Sequence, residues 1–370
     1  MKARRSKVYF VDMRSTATNS QIARLKKSLH KAGVDSLASK GELLAIKVHF
    51  GELGCTSYIR PIYLKTIIDV VTQSGCLAFL TDTNTLYVGT RSNTVEHIKT
   101  AVANGFSYAS MGIPIIIADG LKGANYEPVR IEGSALGEVK IASDIVNADA
   151  LLVVSHVKGH ELTGLGGALK NLGMGCGSRA GKLEMHSGME PRITDACTGC
   201  SRCVKWCPAG AIKVTRKRAR IDSTRCIGCA ECIVVCPFGA IKVNWKWDAR
   251  FVQERMVEYA AGAMKGKRGR IGFVNFVMDI SPQCDCYGFS DASIVPDVGI
   301  LVSKDPVAID QASADLINQQ VGIPETAVTS LRAGSDKLKN IHPDVDWRIQ
   351  ITYAEKLGLG TSHYQLVKLK

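Results

Sequence analysis

The sequence has 370 residues, of which 46% are apolar and 6% aromatic, and it carries a formal net charge of +13. This composition excludes a disordered chain, and the absence of an apolar run of about 18 residues excludes a predicted membrane span. A chain of this length favours two domains, or one domain with an insertion.

Six apolar, β-branched runs predict buried strands in the first and last parts of the chain. They cover residues 7–11, 43–48, 77–80, 114–118, 151–154 and 271–278. The first run follows Arg4 and Arg5, but Asp12 interrupts the apolar stretch, so we predict a strand there and not a signal peptide.

Amphipathic segments between these strands predict four helices. The helices run from Asn19, as candidate N-cap, to about Gly33, from Pro61 to about Gly75, over residues 94–103, and from Pro306 to Ile317. Strands that alternate with helices predict an α/β fold, a layered domain with a largely parallel sheet.

Eight of the 13 cysteines lie in an internal duplication. Residues 197–208 read CTGCSRCVKWCP and residues 226–237 read CIGCAECIVVCP, so both follow the pattern C-x2-C-x2-C-x3-C-P. Three thiolates at two-residue intervals wrap one 4Fe-4S cubane, and the fourth, followed by proline, turns toward a second cluster. Each repeat therefore depends on the other.

The duplicated motif resembles that of two-cluster bacterial-type ferredoxins over roughly residues 193–245. The ligand sets that this resemblance implies are Cys197, Cys200, Cys203 and Cys236 for one 4Fe-4S cluster, and Cys226, Cys229, Cys232 and Cys207 for the other. A pair of structural zinc sites is the alternative, although zinc usually takes two separated C-x2-C pairs.

The duplication divides the chain. We predict an α/β domain in two parts, residues 1–190 and 247–370, interrupted by a small α+β ferredoxin-like domain at residues 191–246.

Residues 201–270 carry 16 Lys and Arg against 5 Asp and Glu, a net charge of +11. A basic segment, here called the basic arm, lies between the repeats, where we expect a hairpin. It either binds an acidic electron donor or forms a solvated turn. This basic arm consists of Lys213, Arg216, Lys217, Arg218 and Arg220.

Polar side chains follow four of the predicted strands, at the edge where a parallel sheet binds its ligands. They are His49 and Glu52, then Asp82 and Asn84, then His156, Lys158, His160 and Glu161, and finally Cys284, Asp285 and Cys286. We expect these residues to converge on one rim, with His49, His156, Lys158 and His160 as candidate catalytic residues. Each residue also has a structural alternative. A histidine in a loop can be solvated or hydrogen-bonded without a functional role, and Asp82 and Asn84 can simply stabilise turns.

Cys284 and Cys286 form a C-x-C motif that predicts a candidate third metal centre. In an extended segment both sulfurs lie on the same side and do not readily form a relaxed disulfide, so we expect two metal ligands that lack partners. Inert buried thiols are the alternative, which suits Cys76. Candidate partners for iron or zinc are Cys55, Cys176, His156 and His160.

The glycine-rich segment 164–181 does not match a phosphate-binding loop. Residues 177–182 have one residue too few between the glycines, and Leu183 stands where a Ser or Thr would bind magnesium. The glycines instead predict either a close approach to an anionic ligand or a flexible loop. The residues expected to hold the anionic group are Lys170, Asn171, Arg179 and Lys182.

Six segments resemble one protein family. They are KVHFGE at 47–52, TSYIRP at 56–61, TDTNTLYVGTRSN at 81–93, HVKGHELTGLGGALKNLGMG at 156–175, and CDC at 284–286 with IVPDVGI at 294–300. The chain resembles the domain-of-unknown-function 362 family over nearly its whole length. The resemblance implies an iron–sulfur protein with a two-cluster ferredoxin unit and no settled reaction, and it implies that Cys55 need not be a cysteine.

The leading hypothesis is a cytoplasmic iron–sulfur electron-transfer protein and candidate ferredoxin-dependent oxidoreductase. Two 4Fe-4S clusters would relay electrons to a metal or substrate site at the rim of the α/β domain. The alternatives are a non-enzymatic electron carrier or docking protein, and a metal-cofactor assembly factor. We expect an acidic redox partner such as a ferredoxin and a small anionic substrate. Nucleic acid is disfavoured, because the basic arm lacks interleaved aromatic residues.

Overall fold

The computed structural model of the chain describes residues 5–187, 191–242 and 248–369. The strands are β1 Ser6–Asp12, β2 Leu43–Val48, β3 Leu77–Asp82, β4 Ile115–Ile117, β5 Tyr126–Arg130, β6 Glu138–Ala142, β7 Ala150–His156, β8 Lys158–His160, β9 Gly164–Gly166, β10 Arg192–Ile193, β11 Ile212–Thr215, β12 Arg218–Ile221, β13 Ile241–Lys242, β14 Ile271–Val277, β15 Gly299–Ser303 and β16 Tyr364–Lys368. The helices are α1 Gln21–Ala32, α2 Pro61–Val71, α3 Thr94–Ala103, α4 Tyr108–Met111, α5 Ser143–Asn147, α6 Ala168–Cys176, α7 Arg179–Ser187, α8 Arg202–Trp206, α9 Glu231–Val234, α10 Ala249–Met264, α11 Pro306–Gln319, α12 Lys337–Ile341 and α13 Arg348–Lys356, and a 3-10 turn, Thr72–Ser74, follows α2.

An eight-stranded sheet forms the centre of the fold, in the order β16-β1-β15-β14-β7-β2-β3-β4. Neighbouring strands are parallel except in the two pairs that contain β15. The protein is therefore an α/β protein with a mostly parallel sheet, as the alternation of strands and helices predicts. Because parallel strands end at the same edge, the segments that follow β2, β3, β7 and β14 meet there.

Both faces of the sheet are covered, which explains why its central strands read as unbroken apolar runs. Every residue of β7 and β14 is buried. Leu151 and Val153 of β7 belong to the core on one face, together with residues of α6, α10 and α11. Leu152 and Val154 belong to the core on the other face, together with residues of α1 and α2.

The six predicted strands are all present, and the predicted bounds of β2 and α3 match the observed ones. The predicted cap of α1 is wrong by one residue, because the Ser20 side chain, not that of Asn19, accepts a hydrogen bond from the N–H of Ala23. β15, β16 and the β5–β6 hairpin were not predicted from the sequence. In β5 and β16 the residues are exposed or half-buried, so these strands lack the apolar run that signals a core strand.

Residues 191–242, here called the insertion, form a small unit between α7 and α10. It contains α8, α9, the β11–β12 hairpin and the β10–β13 pair. Its two repeats fold alike: Ser201 and Ala230 both have φ of 60° just before α8 and α9. The N–H groups of Ala211 and Ala240 donate to Sγ of the cysteines four residues earlier, at 3.3 Å in each repeat. The predicted domain boundaries at residues 190 and 246 lie outside the described residues.

In the described ranges of the chain, no helix has the length and apolar character needed to span a membrane.

Candidate active site at the carboxyl edge of the sheet

A cavity of about 820 Å³ opens at the carboxyl ends of β2, β3 and β7. It is lined by side chains that the sequence analysis assigned to separate segments of the chain. These are His49, His156, Lys158, His160, Lys170, Asn171, Lys182 and Cys286. The sheet topology thus brings residues from across the sequence to one site.

Asp285 organises one wall of the cavity. Its buried carboxylate accepts from Nδ1 of His156 at 2.8 Å and from Nζ of Lys158 at 2.9 Å. Burial raises the pKa of Asp285, but the neighbouring charges of His156 and Lys158 outweigh burial and hold this pKa well below its usual range. Nε2 of His156 faces the carbonyl oxygens of Met278 and Asp279 at 2.8 and 3.1 Å. Both ring nitrogens thus face acceptors, so His156 offers no lone pair to a metal.

His49 faces the same carboxylate from the loop after β2. Its Nδ1 accepts from the N–H of Gly51 at 3.0 Å and lies 3.8 Å from Oδ2 of Asp285. Burial lowers the pKa of His49 well below its usual value. Because Nδ1 accepts from the backbone, the neutral ring carries its proton on Nε2 and can donate a hydrogen bond to a bound molecule.

A second charged network lines the cavity around Asp82 and includes two residues, Lys47 and Arg91, that were not predicted from the sequence. Nζ of Lys47 lies 2.9 Å from Oδ1 of Asp82, and Nη1 of Arg91 lies 3.5 Å from Oδ2. Nε of Arg91 also donates to Glu52 at 3.1 Å. Lys47 could have been found from sequence, because a lysine inside an otherwise apolar buried strand is unusual. Arg91 carries no such signal.

Lys170 and Lys182 are cavity lysines for which no carboxylate partner is found among the described residues. Nζ of Lys170 donates to Sγ of Cys284 at 3.0 Å. Nζ of Lys182 donates to the hydroxyl of Thr83 and to the carbonyl of Gly177. Burial lowers the pKa of Lys170 to about 7 and that of Lys182 to about 8. Two amines of this kind can pair with an anionic ligand, as the sequence analysis proposed.

Two other residues expected to hold the anionic group have partners inside the protein. Oδ1 of Asn171 accepts from Lys47 at 2.7 Å, and its amide nitrogen donates to the carbonyl of Val154 at 2.9 Å, so Asn171 positions Lys47. Arg179 does not line the cavity and instead donates to Glu231 of the insertion at 2.6 Å. The expectation that Arg179 holds the anion is therefore wrong.

The glycine-rich segment lies mostly within α6 and α7 and is not a flexible loop. A Cβ on Gly173 would lie 2.1 Å from the carbonyl oxygen of Met256, so this glycine allows α6 to pack closely on α10. The N–H groups of Ala168 and Leu169 at the start of α6 donate to the buried carboxylate of Asp310 at 2.7 and 2.8 Å. Asp310 thus occupies the helix start where an anionic ligand would otherwise bind.

Cys284 and Cys286 are joined as a disulfide, with their Cα atoms 5.1 Å apart. The expectation of an extended segment is wrong here, because the N–H of Tyr287 donates to the carbonyl of Cys284 at 3.2 Å in a tight turn. The metal-ligand role of the pair stays a prediction. A turn points both sulfurs toward each other. The pair can serve as two thiolate metal ligands only after reduction.

His160 is the predicted partner that lies beside this pair. One of its ring nitrogens lies within 4.8 Å of both sulfurs. Its Nδ1 accepts from the N–H groups of Leu162 and Thr163 at 3.1 and 3.2 Å, and burial lowers its pKa well below the usual value. Cys55 and Cys176 do not belong to this group of ligand atoms. Cys55 contacts Ser290 instead, with Sγ and Oγ 3.3 Å apart.

The eight duplicated cysteines all lie in the insertion. Four of them, Cys207, Cys226, Cys229 and Cys232, line one small cavity together. These are the four that the ferredoxin resemblance assigns to one cluster. A backbone N–H donates to sulfur also in the first repeat, from Ala219 to Cys197 at 3.4 Å. Hydrogen bonds of this kind commonly stabilise cluster-bound thiolates, so the donor set fits a 4Fe-4S cluster.

The insertion is docked against the wall of the large cavity. Leu86 lines that cavity and also belongs to the apolar core of the insertion, which includes Cys203 and Cys232. Arg179 at the start of α7 reinforces this contact. It bonds Glu231 of α9 and donates to the carbonyl of Thr85 at 3.2 Å.

Comparison with known proteins identifies the family. Residues 44–315 match the family described as domain of unknown function (DUF362). The chain belongs to the DUF362 family. No curated protein matches this DUF362 chain.

Two solved structures are similar to the DUF362 chain. One is the lactate racemase apoprotein from Thermoanaerobacterium thermosaccharolyticum, with 14% identity, a TM-score of 0.37, and coverage of 74% of this chain and 51% of that chain. The other is a Thermotoga maritima protein from structural genomics, with 14% identity, a TM-score of 0.36, and coverage of 69% and 50%. The DUF362 chain thus spans about half the length of these solved chains.

The basic arm of this DUF362 protein forms the β11–β12 hairpin, and its five basic residues are exposed. Arg216 and Lys217 form the tip, with φ of 49° and 60°. The tip packs on the first cysteine motif: a Cβ on Gly199 would lie 2.6 Å from the backbone carbon of Lys217. The most basic surface of the insertion therefore lies beside the first group of cysteines.

Proposed function

We propose that this DUF362 protein is an iron–sulfur oxidoreductase that delivers electrons to the cavity at the carboxyl edge of the sheet. The observation that carries the proposal is the shared wall, in which Leu86 contacts both the cavity and the apolar core around Cys203 and Cys232. A group held by the duplicated cysteines would therefore lie next to a site built for a small molecule.

The ligand sets are those implied by the ferredoxin resemblance. Cys197, Cys200, Cys203 and Cys236 would hold one 4Fe-4S cluster, and Cys226, Cys229, Cys232 and Cys207 the other. When bound, such clusters supply one-electron transfer. The matched left-handed residues before α8 and α9 and the matched N–H···S hydrogen bonds of the two repeats support this assignment.

The cavity supports an enzyme over a passive electron carrier. A carrier has no need of buried amines for which no carboxylate partner is found in the described part of the chain, since such amines cost stability and are typical of functional sites. In the proposed reaction Lys170 and Lys182 neutralise an anionic substrate, while the network of His156, Asp285 and Lys158 fixes the wall beside it. His49 donates a hydrogen bond to the substrate from Nε2, since its Nδ1 accepts from the N–H of Gly51.

The exposed basic hairpin supports an acidic redox protein, such as a ferredoxin, as the electron donor. Complementary charge raises the rate of encounter between two redox proteins and orients them. A partner docked on this hairpin would lie next to the first cysteine motif, because the tip residue Lys217 contacts Gly199.

The proposal is tested by metal and sulfide analysis of anaerobically purified protein. We expect about eight irons and about eight acid-labile sulfides per chain, with reversible reduction seen by electron paramagnetic resonance. Cys229→Ser is expected to lose about half of the iron. The matched control, Cys76→Ser, changes a buried thiol outside the insertion that donates to the Val71 carbonyl, and it is expected to retain all of the iron. About two zinc ions per chain without sulfide would overturn the proposal.

A further inference from the structure

The Cys284–Cys286 disulfide forms part of the cavity wall. Cys286 is half-buried and lines the cavity, whereas Cys284 lies behind it with 2% of its surface exposed. One sulfur is thus open to the cavity and the other is enclosed by protein.

Two hydrogen-bond donors are directed at the enclosed sulfur. Nζ of Lys170 lies 3.0 Å from Sγ of Cys284, and the N–H of Cys286 lies 3.4 Å from it. Donors in this position stabilise a thiolate that forms when the S–S bond opens. The surroundings of Cys284 are therefore suited to its reduced form as well as to the disulfide.

His160 distinguishes a redox pair from a metal site. Its Nδ1 lone pair accepts from the backbone N–H groups of Leu162 and Thr163. In a neutral ring the proton then resides on Nε2, which makes Nε2 a hydrogen-bond donor and not a metal ligand. A metal-binding histidine normally has the reverse arrangement, with its second nitrogen donating.

A continuous path connects the insertion with the disulfide. Leu86, which packs in the core of the insertion, lies in the same loop as Arg91, and Arg91 donates to Glu52 at 3.1 Å. The N–H of Glu52 donates to the carbonyl of Asp285, between the two cysteines, at 2.9 Å. Covalent and hydrogen bonds thus join the two ends without a break.

We propose that Cys284 and Cys286 are a redox-active dithiol–disulfide couple and the first electron acceptor in the cavity. This inference rests on the proposed function, because the reductant is the iron–sulfur unit of the insertion. On reduction the S–S bond breaks, two electrons and two protons are taken up, and two S–H groups form. Lys170 donates one proton to Cys284, and water in the cavity supplies the other to Cys286. Two one-electron donors match the two-electron demand of one disulfide.

The proposal is tested by anaerobic reductive titration together with alkylation and mass spectrometry. We expect the wild-type protein to take up about four reducing equivalents per chain, two for the clusters and two for the disulfide. Cys284→Ser and Cys286→Ser are each expected to take up about two, and the control Cys76→Ser about four. In wild-type protein unfolded in the presence of the alkylating agent, so that the enclosed Cys284 is accessible, both cysteines should resist alkylation before the titration and be alkylated after it.

Three results would overturn the inference. They are alkylation of both cysteines in oxidised protein, equal electron uptake by wild type and both variants, and a zinc or nickel ion that is lost in both variants. Failure of the proposed function gives a different result. In that case the protein contains no iron and does not take up the two reducing equivalents assigned to the clusters. Dithiothreitol still reduces the disulfide and makes both cysteines reactive.

Discussion

Lys182 enters the cavity from α7, with its ammonium between the hydroxyl of Thr83 and the carbonyl of Gly177. Burial lowers its pKa to about 8, so at neutral pH the charged form is kept at a cost in stability. An anionic ligand beside the ammonium group would stabilise the charged form and offset this loss of stability. An exposed lysine has no such cost, so the burial of Lys182 favours a role in binding.

The pH dependence of stability tests this account of Lys182. Because its folded-state pKa of about 8 is below the unfolded value of about 10.4, the unfolded chain binds more protons between these values. The free energy of unfolding of wild type therefore rises with pH across this window. Lys182→Met removes the effect, so the Tm of the variant minus that of wild type should fall between about pH 8 and 10.

The control for this experiment is Lys99→Met, since Lys99 lies at the surface with 67% of its side chain exposed. Its Tm difference from wild type should stay constant over the same range. A constant or rising difference for Lys182→Met would contradict the lowered pKa.

Between elements, the contact of α7 with α9 fixes the insertion against the cavity wall. Arg179 reaches Glu231 of α9 while its other nitrogens bond the carbonyl oxygens of Thr85 and Ser92. Its side chain is 1% exposed and that of Glu231 11% exposed, so this ion pair is shielded from water. Removing one partner of a buried ion pair lowers the stability of the protein strongly, because the other charge then stays buried without a partner.

Arg179→Ala is therefore expected to destabilise the protein by about 3 kcal/mol. The loss should be local, since the partners belong to the loop after β3 and to α9. Hydrogen exchange is expected to become faster in residues 83–92 and in α9, and to remain unchanged in β14. Arg218→Ala is the control, because Arg218 pairs with the exposed Asp195, and it should change stability by less than about 0.5 kcal/mol. Faster exchange throughout the sheet would contradict a local role.

Across the whole molecule, the net charge of +13 is unevenly distributed. The β11–β12 hairpin presents five exposed basic residues next to the first cysteine motif, while Leu86, which packs in the core of the insertion, lines the cavity. In the proposed function electrons therefore enter beside the hairpin and leave at the cavity. In the proposed function the positive charge of the hairpin serves to dock an acidic partner.

Charge reversal on the hairpin tests the docking surface. With an acidic ferredoxin as donor, Lys213→Glu combined with Arg216→Glu is expected to lower the second-order rate of reduction at low salt by about tenfold or more. The rate should also become less sensitive to ionic strength. Lys26→Glu with Lys27→Glu is the matched control, since it makes the same change in net charge on exposed residues of α1. Equal losses in the two double variants would contradict a specific surface.

Local patterns account for the parts of the fold that could be predicted. The apolar run at β2 and the amphipathic period at α3 specify buried elements without reference to the rest of the chain. Alternation of strands and helices predicts the sheet, and the sheet predicts a common edge for the residues that follow its strands. The convergence of His49, His160 and Cys286 on one cavity could be anticipated for this reason.

Other features depend on contacts between distant residues and could not be read from local pattern. Arg179 was assigned to an anion site from its glycine-rich neighbourhood, but its partner Glu231 lies 52 residues away in the insertion. The glycine-rich sequence predicts that Gly173 allows close approach of a ligand, but the backbone of α10 lies against this glycine instead. Each of these roles depends on the partner that folding supplies.

The duplicated cysteine motif and the alternating strands are determined by the sequence itself, because spacing along the chain sets which thiolates can share a cluster and which faces are buried. The tertiary structure alone decided which side chains face the cavity, that a turn closes Cys284 on Cys286, and that Nδ1 of His160 is taken by backbone donors. The physical reason is that hydrogen bonding and burial depend on distances in space, and only the packed sheet sets those distances.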